Sequence, residues 1–96
     1  MNRIVINEDR LDKLNNIVSN LEKDLLDLKG AYKEYKNLNK YYGSKEWFLD
    51  KDNFEQGKIK DVKAGVLSED AVYDLDTDIR ELFQEMNEVT ELYTND

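Results

Sequence analysis

The feature that most constrains this chain is an apolar repeat along its first third. Large apolar or aromatic side chains recur at alternating spacings of three and four residues, which is the a/d pattern of a heptad. The members are Leu11, Leu14, Val18, Leu21, Leu25, Leu28, Tyr32 and Tyr35. This repeat predicts one long helix over about residues 7–42 that must bury a face. Asn7 is expected to cap its start, and Gly43 its end.

A second apolar repeat of the same spacing occupies the last third of the chain. Its members are Val72, Leu75, Ile79, Leu82, Met86, Val89 and Tyr93. Ser68 is expected to be the N-cap, because its hydroxyl can accept from an amide of the first turn. Leu67 and Val72 have the spacing of a hydrophobic staple. The pattern predicts a second helix over about residues 68–94.

The segment between the helices, residues 43–67, is too apolar for a simple loop, and we call it the connector. It contains Trp47, Phe48, Leu49 and Phe54, and an unstructured stretch of this length is unusual in a compact domain. Ser44 is expected to cap a short helix over about residues 45–51. Gly57 is expected to mark a turn.

The fold predicted from these patterns is all-α, with residues 1–96 as a single helical domain. The two long heptad helices form an antiparallel hairpin, and the ordered, partly helical connector packs on one end. The apolar stripe is wider than a coiled-coil seam, because Ile17, Ala31 and Leu38 extend it on the first helix. Each helix is therefore expected to contact more than one neighbour, and we hypothesise that two hairpins pair into a four-helix dimer.

Composition and charge exclude several classes of function. The 96 residues contain no Cys and no His, which removes thiol chemistry and the commonest metal ligand. The net charge is −8, and residues 68–96 carry ten acids against one basic residue, Arg80. Phosphate backbones and anionic membranes attract clustered Lys and Arg, so we expect neither direct nucleic-acid binding nor membrane binding. A cytoplasmic protein with no cofactor, no metal and no catalytic residues is expected.

Acidic side chains recur at spacings of four and three along the second helix, and we call this set the acidic ridge. Its members are Asp74, Asp78, Glu81, Glu85 and Glu88. The ridge is interpreted either as a solvated face or as a contact surface for a basic partner, in the manner of a phosphate backbone. A basic stripe on the first helix is formed by the lysines at 29, 33, 36 and 40. These lysines could instead pair with the acidic ridge, within the chain or across a dimer.

The most specific surface is expected at the aromatic end of the hairpin, and we call it the candidate partner surface. It comprises Tyr41, Tyr42, Trp47, Gly65, Ser68, Glu69, Asp70 and Tyr73. The alternative interpretation of these residues is a minor core that holds the connector in place.

Two stretches of sequence resemble a known family. "YYGSKEW" at 41–47 and "GVLSEDAVYDL" at 65–75 are similar to a small bacterial family catalogued as domain of unknown function 4298. The resemblance implies a fold and a bacterial origin, and it carries over no catalytic residue. Many members have a proline shortly before the second stretch, whereas "KIKDVKA" here has none. A weaker likeness in length, with Trp and Gly near the bend, is to the helical-hairpin proteins of type VII secretion.

The function expected from the sequence is a non-enzymatic helical protein-interaction module that self-associates or binds a protein partner, with a homodimer as one form. The alternatives are an acidic inhibitor that binds a basic protein through the acidic ridge, and a hairpin similar to those of type VII secretion. Ionic strength separates the first two, because screening weakens an electrostatic contact and spares an apolar one.

Overall fold

A computed structural model describes residues 2–95, and in that range the chain is all-α, as predicted. The elements are α1 (Arg3–Gly30), α2 (Tyr32–Tyr41), α3 (Lys45–Glu55), a 3-10 turn (Gly65–Leu67) and α4 (Ala71–Thr94). No strand occurs among these residues. The order of elements is consistent with the predicted hairpin and its partly helical connector. The chain divides into two compact units, Met1–Lys36 and Asn37–Asp96.

The first unit is built on α1, which begins earlier than the sequence analysis predicted. The N-cap is Asn2, whose side chain accepts from the Ile4 amide at 2.7 Å. The predicted cap, Asn7, lies inside the helix, where its side-chain amide donates to the Arg3 carbonyl at 2.8 Å. Both asparagines can cap a helix, and capping at Asn2 brings the apolar residues after Arg3 into it.

The predicted single helix over residues 7–42 is interrupted at Gly30 and Ala31. Ala31 has φ −86° and ψ 0° and separates α1 from α2. Hydrogen bonding nevertheless passes through the interruption, since the Ala31 amide donates to Asp27 at 3.0 Å and the Tyr35 amide donates to Ala31 at 2.9 Å. Gly30 lowers the local helix propensity by about 1 kcal/mol relative to Ala, which accounts for the position of the break.

The apolar face of α1 is exposed along the helix. No residue of Arg3–Gly30 is buried. The heptad side chains from Leu11 to Leu28 are between 38% and 61% exposed. Burial inside the first unit therefore does not account for the stability of this helix, since a helix in a protein is stabilised mainly by packing of its apolar face.

The second unit begins with the end of α2 and continues into α3. Gly43 has φ +76°, the left-handed conformation expected of a residue that ends a helix. Ser44 caps α3 as predicted, because its hydroxyl accepts from the Trp47 amide at 3.2 Å. Helix α3 extends to Glu55, one turn beyond the predicted 45–51.

The turn at Gly57 explains why α3 continues to Glu55 and does not end near residue 51. Gly57 has φ +77°. Its amide donates to Phe54 at 3.0 Å, and the Lys58 amide donates to Asn53 at 2.9 Å. These two bonds form a Schellman motif, so the carbonyls that would be left unpaired at the end of the helix are satisfied. The predicted turn at Gly57 is confirmed.

The 3-10 turn lies next to both α3 and α4, and the small core of the second unit is found here. Both helices contact the turn. Among residues 2–95, the buried apolar side chains are Trp47 and Val72, at 4% and 3% exposure. Helix α4 begins at Ala71, three residues after the predicted start, and its N-cap residue is Asp70, whose side chain makes no capping bond. Ser68 has extended backbone, and its hydroxyl supplies the predicted capping contact by accepting from the Ala71 amide at 3.1 Å.

Within residues 2–95, none of the helices combines the length and the apolar character that a transmembrane span requires.

Candidate interaction surfaces

Trp47 is the centre of the connector's packing. Its indole Nε1–H donates to the carbonyl oxygen of Val66 at 2.9 Å. The ring meets Tyr42 edge-on at a centroid distance of 5.3 Å and an angle of 73°. It meets Phe48 at 4.9 Å and 80°. Edge-to-face pairs of this kind contribute about 0.5–1.5 kcal/mol beyond their buried area, so the indole fixes α3 against the turn that precedes α4.

Glu69 is held by two side chains from other elements. The Tyr42 hydroxyl donates to the Glu69 carbonyl oxygen. The Lys51 ammonium lies 3.1 Å from the Glu69 carboxylate and 5.2 Å from the centre of the Trp47 ring. The Glu69 side chain is 79% exposed, so the ion pair is screened and contributes little to stability. The tyrosine contact instead fixes the backbone just before α4.

Tyr41 makes a separate contact on the connector. Its hydroxyl donates to Asp50 Oδ2 at 2.6 Å. This hydrogen bond to a carboxylate, together with partial burial and the charge of Asp50, raises the pKa of Tyr41 to about 12. All three effects favour the neutral phenol, because ionisation would remove the proton that it donates and place a second negative charge beside Asp50 in a partly buried site. The contact fixes the end of α2 to the middle of α3.

The structure brings together part of the candidate partner surface. Tyr42, Trp47 and Glu69 share one cluster, and Ser68 caps the adjoining helix. Trp47 is buried, and its contacts are those of the minor core that the sequence analysis gave as an alternative. Tyr73 lies outside that core and is 66% exposed. Gly65, Ser68, Glu69 and Asp70 are exposed as well.

Apolar side chains line an exposed face of α4, which we call the α4 apolar face. Its members are Leu75, Leu82, Met86, Val89 and Tyr93. Their exposure ranges from 37% at Met86 to 71% at Tyr93. On α3, Phe48 and Leu49 are also more than half exposed. Contiguous exposed apolar surface of this extent is typical of contact sites for other proteins.

The acidic ridge lies along α4 and is solvated. Each of its five carboxylate residues is exposed. Like charges at i and i+4 destabilise a helix by a few tenths of a kcal/mol per pair. The ridge therefore opposes the formation of α4, and a cationic partner would relieve that repulsion.

Metal ligation within residues 2–95 would require several ligating side chains close together. In this range no group of three or more His, Cys, Asp or Glu side chains is arranged to hold a metal ion. The acidic ridge residues are exposed in a row along one helix, and a divalent cation requires oxygen ligands that converge on one point.

The contacts made by Tyr42, Lys51 and Val66 were not predictable from the sequence patterns. Tyr42 continues the heptad spacing seven residues after Tyr35, yet its hydroxyl binds a backbone carbonyl 27 residues away. Val66 contributes its carbonyl oxygen, which any residue could supply. The available signal was the concentration of aromatic residues beside Gly43, which indicated a core without indicating its hydrogen bonds.

Comparison with known proteins places most of the chain in one family. Residues 5–89 match the family described as Domain of unknown function (DUF4298). The match covers the first heptad segment, the connector, and the second heptad segment as far as Val89. No curated protein and no solved structure matches the chain.

Proposed function

Since the chain belongs to the DUF4298 family, whose description gives no function, we propose from its exposures and contacts that it is a non-enzymatic protein-interaction module. It acts by presenting apolar helix faces to another polypeptide chain, either a second copy or a different protein. A bacterial, cytoplasmic setting is part of this proposal, and fractionation of source cells tests it.

The observation that carries the proposal is the exposure of the α4 apolar face. Leu82 and Val89 are 57% and 50% exposed although they occupy heptad positions. Burying a Leu or Val side chain contributes about 1.5–3 kcal/mol relative to leaving it exposed. Covering the exposed parts of the five side chains on this face would offset part of the cost of association.

The contacts of Trp47 support this proposal by ordering the start of α4. The indole binds the carbonyl of Val66, and Tyr42 binds that of Glu69. These bonds constrain the backbone on the N-terminal side of Ala71, where α4 begins. A helix whose start is already ordered loses less conformational freedom when its apolar face meets a partner.

The acidic ridge supports a second candidate function, an acidic inhibitor of a basic protein. Its five exposed carboxylates follow one line along α4. Such a line resembles the charge, though not the chemistry, of a phosphate backbone. Binding through the ridge would weaken steeply as ionic strength rises, whereas binding through the apolar face would change little.

Capture from a lysate of the source organism distinguishes the two candidates. The purified chain is immobilised and exposed to lysate at low and high salt. The apolar variant is Leu82→Asn/Val89→Asn, and the charge variant is Glu81→Gln/Glu85→Gln. Circular dichroism of each variant serves as the control for folding.

The proposed function predicts partners that persist at high salt and are lost from the apolar variant alone. Partners that are lost at high salt and from the charge variant would establish the acidic-inhibitor function in its place. Partners retained equally by both variants would overturn both candidates, because neither surface would then be in use.

A further inference from the structure

We propose that Met86 is a site of reversible oxidation, at which a hydroperoxide converts the thioether to a sulfoxide and thereby weakens binding through the α4 apolar face. This inference rests on the proposed function and deepens it, since it names a chemical regulation of that same face. The sulfur content of the chain, the position and exposure of Met86 and the charges beside it support the assignment.

Met86 is one of two residues in the chain that carry sulfur. The sequence contains no cysteine, and its two methionines are Met1 and Met86. Sulfur is the element of a protein that hydroperoxides oxidise most readily, and a cysteine thiolate, where one is present, reacts first. Because the chain has no thiol to compete, a peroxide that meets this protein reacts at methionine.

Met86 occupies the middle of the α4 apolar face. Leu82 precedes it by four residues and Val89 follows it by three, and side chains at these spacings are neighbours on the surface of a helix. Helix α4 is continuous from Ala71 to Thr94, so the spacing holds along the whole face. A polar group at Met86 therefore divides the row of apolar side chains into two shorter pieces.

The Met86 side chain is accessible to a small oxidant. It is 37% exposed, although it is the least exposed member of the α4 apolar face. Hydrogen peroxide is little larger than water and reaches a partly exposed sulfur. A partner that covers the face removes the same sulfur from solvent, so oxidation acts on the free chain and binding protects against it.

The charges beside Met86 favour a neutral oxidant. Glu85 and Glu88 are exposed, and residues 68–96 carry ten acidic residues and one basic residue. The negative potential of such a segment repels anions and leaves the local concentration of neutral molecules unchanged. Hydrogen peroxide and organic hydroperoxides are neutral at physiological pH, so they are the class of oxidant that fits this site.

The proposed step transfers one oxygen atom to sulfur. The sulfur lone pair attacks one oxygen of hydrogen peroxide, and the S–O bond forms as the O–O bond breaks. The proton on the transferred oxygen passes to the departing hydroxide, which leaves as water. Sulfur is oxidised by two electrons and the peroxide is reduced by two. Methionine sulfoxide reductase reverses the step with two thiols, which become a disulfide while the oxygen leaves as water.

The sulfoxide opposes covering of the face. Its oxygen is a hydrogen-bond acceptor that water satisfies while α4 is exposed. An apolar partner surface offers no donor, so covering the face would leave that oxygen without a hydrogen bond. Binding through the α4 apolar face is therefore expected to weaken roughly 5- to 100-fold.

The first test measures oxidation of Met86 in the folded full chain. The purified chain is treated with hydrogen peroxide, and peptide mapping by mass spectrometry follows Met86 separately from Met1. Met86 in the folded chain should react within about tenfold of its rate in the urea-unfolded chain, as its exposure requires. A larger reduction of the rate by folding would overturn the inference.

The second test measures binding, and its probe is the set of partners that the chain captures from lysate at high salt. Peroxide-treated wild type should lose these partners, and methionine sulfoxide reductase with dithiothreitol should restore them. Met86→Leu is the matched control, because it keeps an apolar side chain of similar volume without sulfur; its captures should resist peroxide. Met86→Gln places a polar side chain at the same position and should capture the partners weakly without peroxide.

Three results would overturn the inference. The first is wild type that captures the partners unchanged although Met86 is oxidised. The second is a Met86→Leu chain that loses them as fully after peroxide, because another residue would then be responsible. The third is a fall in helix content on oxidation, measured by circular dichroism, because the effect would then lie in the folding of α4.

The outcomes also separate this inference from the proposed function. If untreated wild type and Leu82→Asn/Val89→Asn capture the same partners, the proposed function fails before any oxidation and this inference fails with it. Partners that are lost from that variant and retained by the oxidised chain overturn the inference alone.

Discussion

The indole nitrogen of Trp47 and the carbonyl oxygen of Val66 lie 2.9 Å apart and join α3 to the turn that precedes α4. The two residues are separated by 19 positions in sequence. The bond gives a hydrogen-bond partner both to the buried indole N–H and to the Val66 carbonyl oxygen in the 3-10 turn. Stability of the connector should therefore depend on the indole N–H as well as on the size of the ring.

Replacing Trp47 by phenylalanine tests this dependence. Trp47→Phe retains an aromatic ring and leaves the Val66 carbonyl without its donor, so the free energy of unfolding should fall by about 1–3 kcal/mol. Trp47→Ala should cost more, about 3–5 kcal/mol, because it also removes the ring. Urea denaturation followed by far-ultraviolet circular dichroism measures both. Tyr93→Phe, at an exposed site, is the control and should leave stability unchanged. If Trp47→Phe were as stable as the wild type, the hydrogen bond from Trp47 to Val66 would contribute nothing to stability.

The pairing of Tyr41 with Asp50 predicts a dependence of stability on alkaline pH. The pKa of Tyr41 is raised from 10.0 to about 12 in the folded chain, so the folded state retains the phenol proton longer than the unfolded state does. The contribution of this pair is therefore complete below pH 10 and is lost as the pH rises from about 10 to about 12.

Spectrophotometric titration of the tyrosines near 295 nm measures this shift. The titration curve of the wild type should contain a late component near pH 12, which is that of Tyr41. Asp50→Asn should lower the pKa of that tyrosine, because the negative charge beside the phenol is removed. Tyr41→Phe should abolish the late component, and a late component that survives in this variant would belong to another tyrosine.

Two glycines of this chain should respond in opposite directions to the same change. A Cβ added at Gly30 would have no atom within 4 Å. The glycine therefore affects α1 only through its low helix propensity. Gly30→Ala should therefore raise the free energy of unfolding by about 0.5–1 kcal/mol. Gly43 has φ +76°, so Gly43→Ala should lower it by about 1–2 kcal/mol. Thermal unfolding of both variants measures the difference, and a destabilised Gly30→Ala would indicate that the break before α2 is required.

The cap at Ser68 should be separable from the rest of the connector. Ser68→Ala removes the acceptor of the Ala71 amide and should reduce stability by about 1 kcal/mol, with faster amide exchange confined to the first turn of α4. Ser68→Asp should largely restore both, since aspartate also caps. Ser19→Ala, in the middle of α1, is the matched control. Unchanged exchange in Ser68→Ala would show that the cap is not used.

The elements that depend on local chemistry were predictable from the sequence. The heptad repeats predicted helix along α1, α2 and α4. Ser44 was predicted as the cap of α3, Gly43 as the end of the helix before it, and Gly57 as a turn, and the structure has all three. The start at Asn2 was not predictable, because two asparagines five residues apart are equally suited to capping. The break near Gly30 was not predicted either, since a glycine inside a helix is usually tolerated.

The small core around Trp47, which includes part of the candidate partner surface, was predictable in part. Aromatic enrichment beside Gly43 indicated a core, and Trp47 is in it. The bonds from Trp47 to Val66 and from Tyr42 to Glu69 use backbone carbonyls. A carbonyl has no side-chain signature, so single-sequence patterns cannot indicate which one a distant donor will find.

The central claim is that the exposed apolar faces are covered by another polypeptide chain when the protein acts. Hydroxyl-radical footprinting read by mass spectrometry tests this claim most directly, with dilute chain compared with concentrated chain and with the captured complex. The account predicts that Leu14, Leu21 and Met86 react in the dilute chain and become protected on association, while Lys23 serves as a reference on another surface. Equal modification of the apolar residues under all three conditions would contradict it.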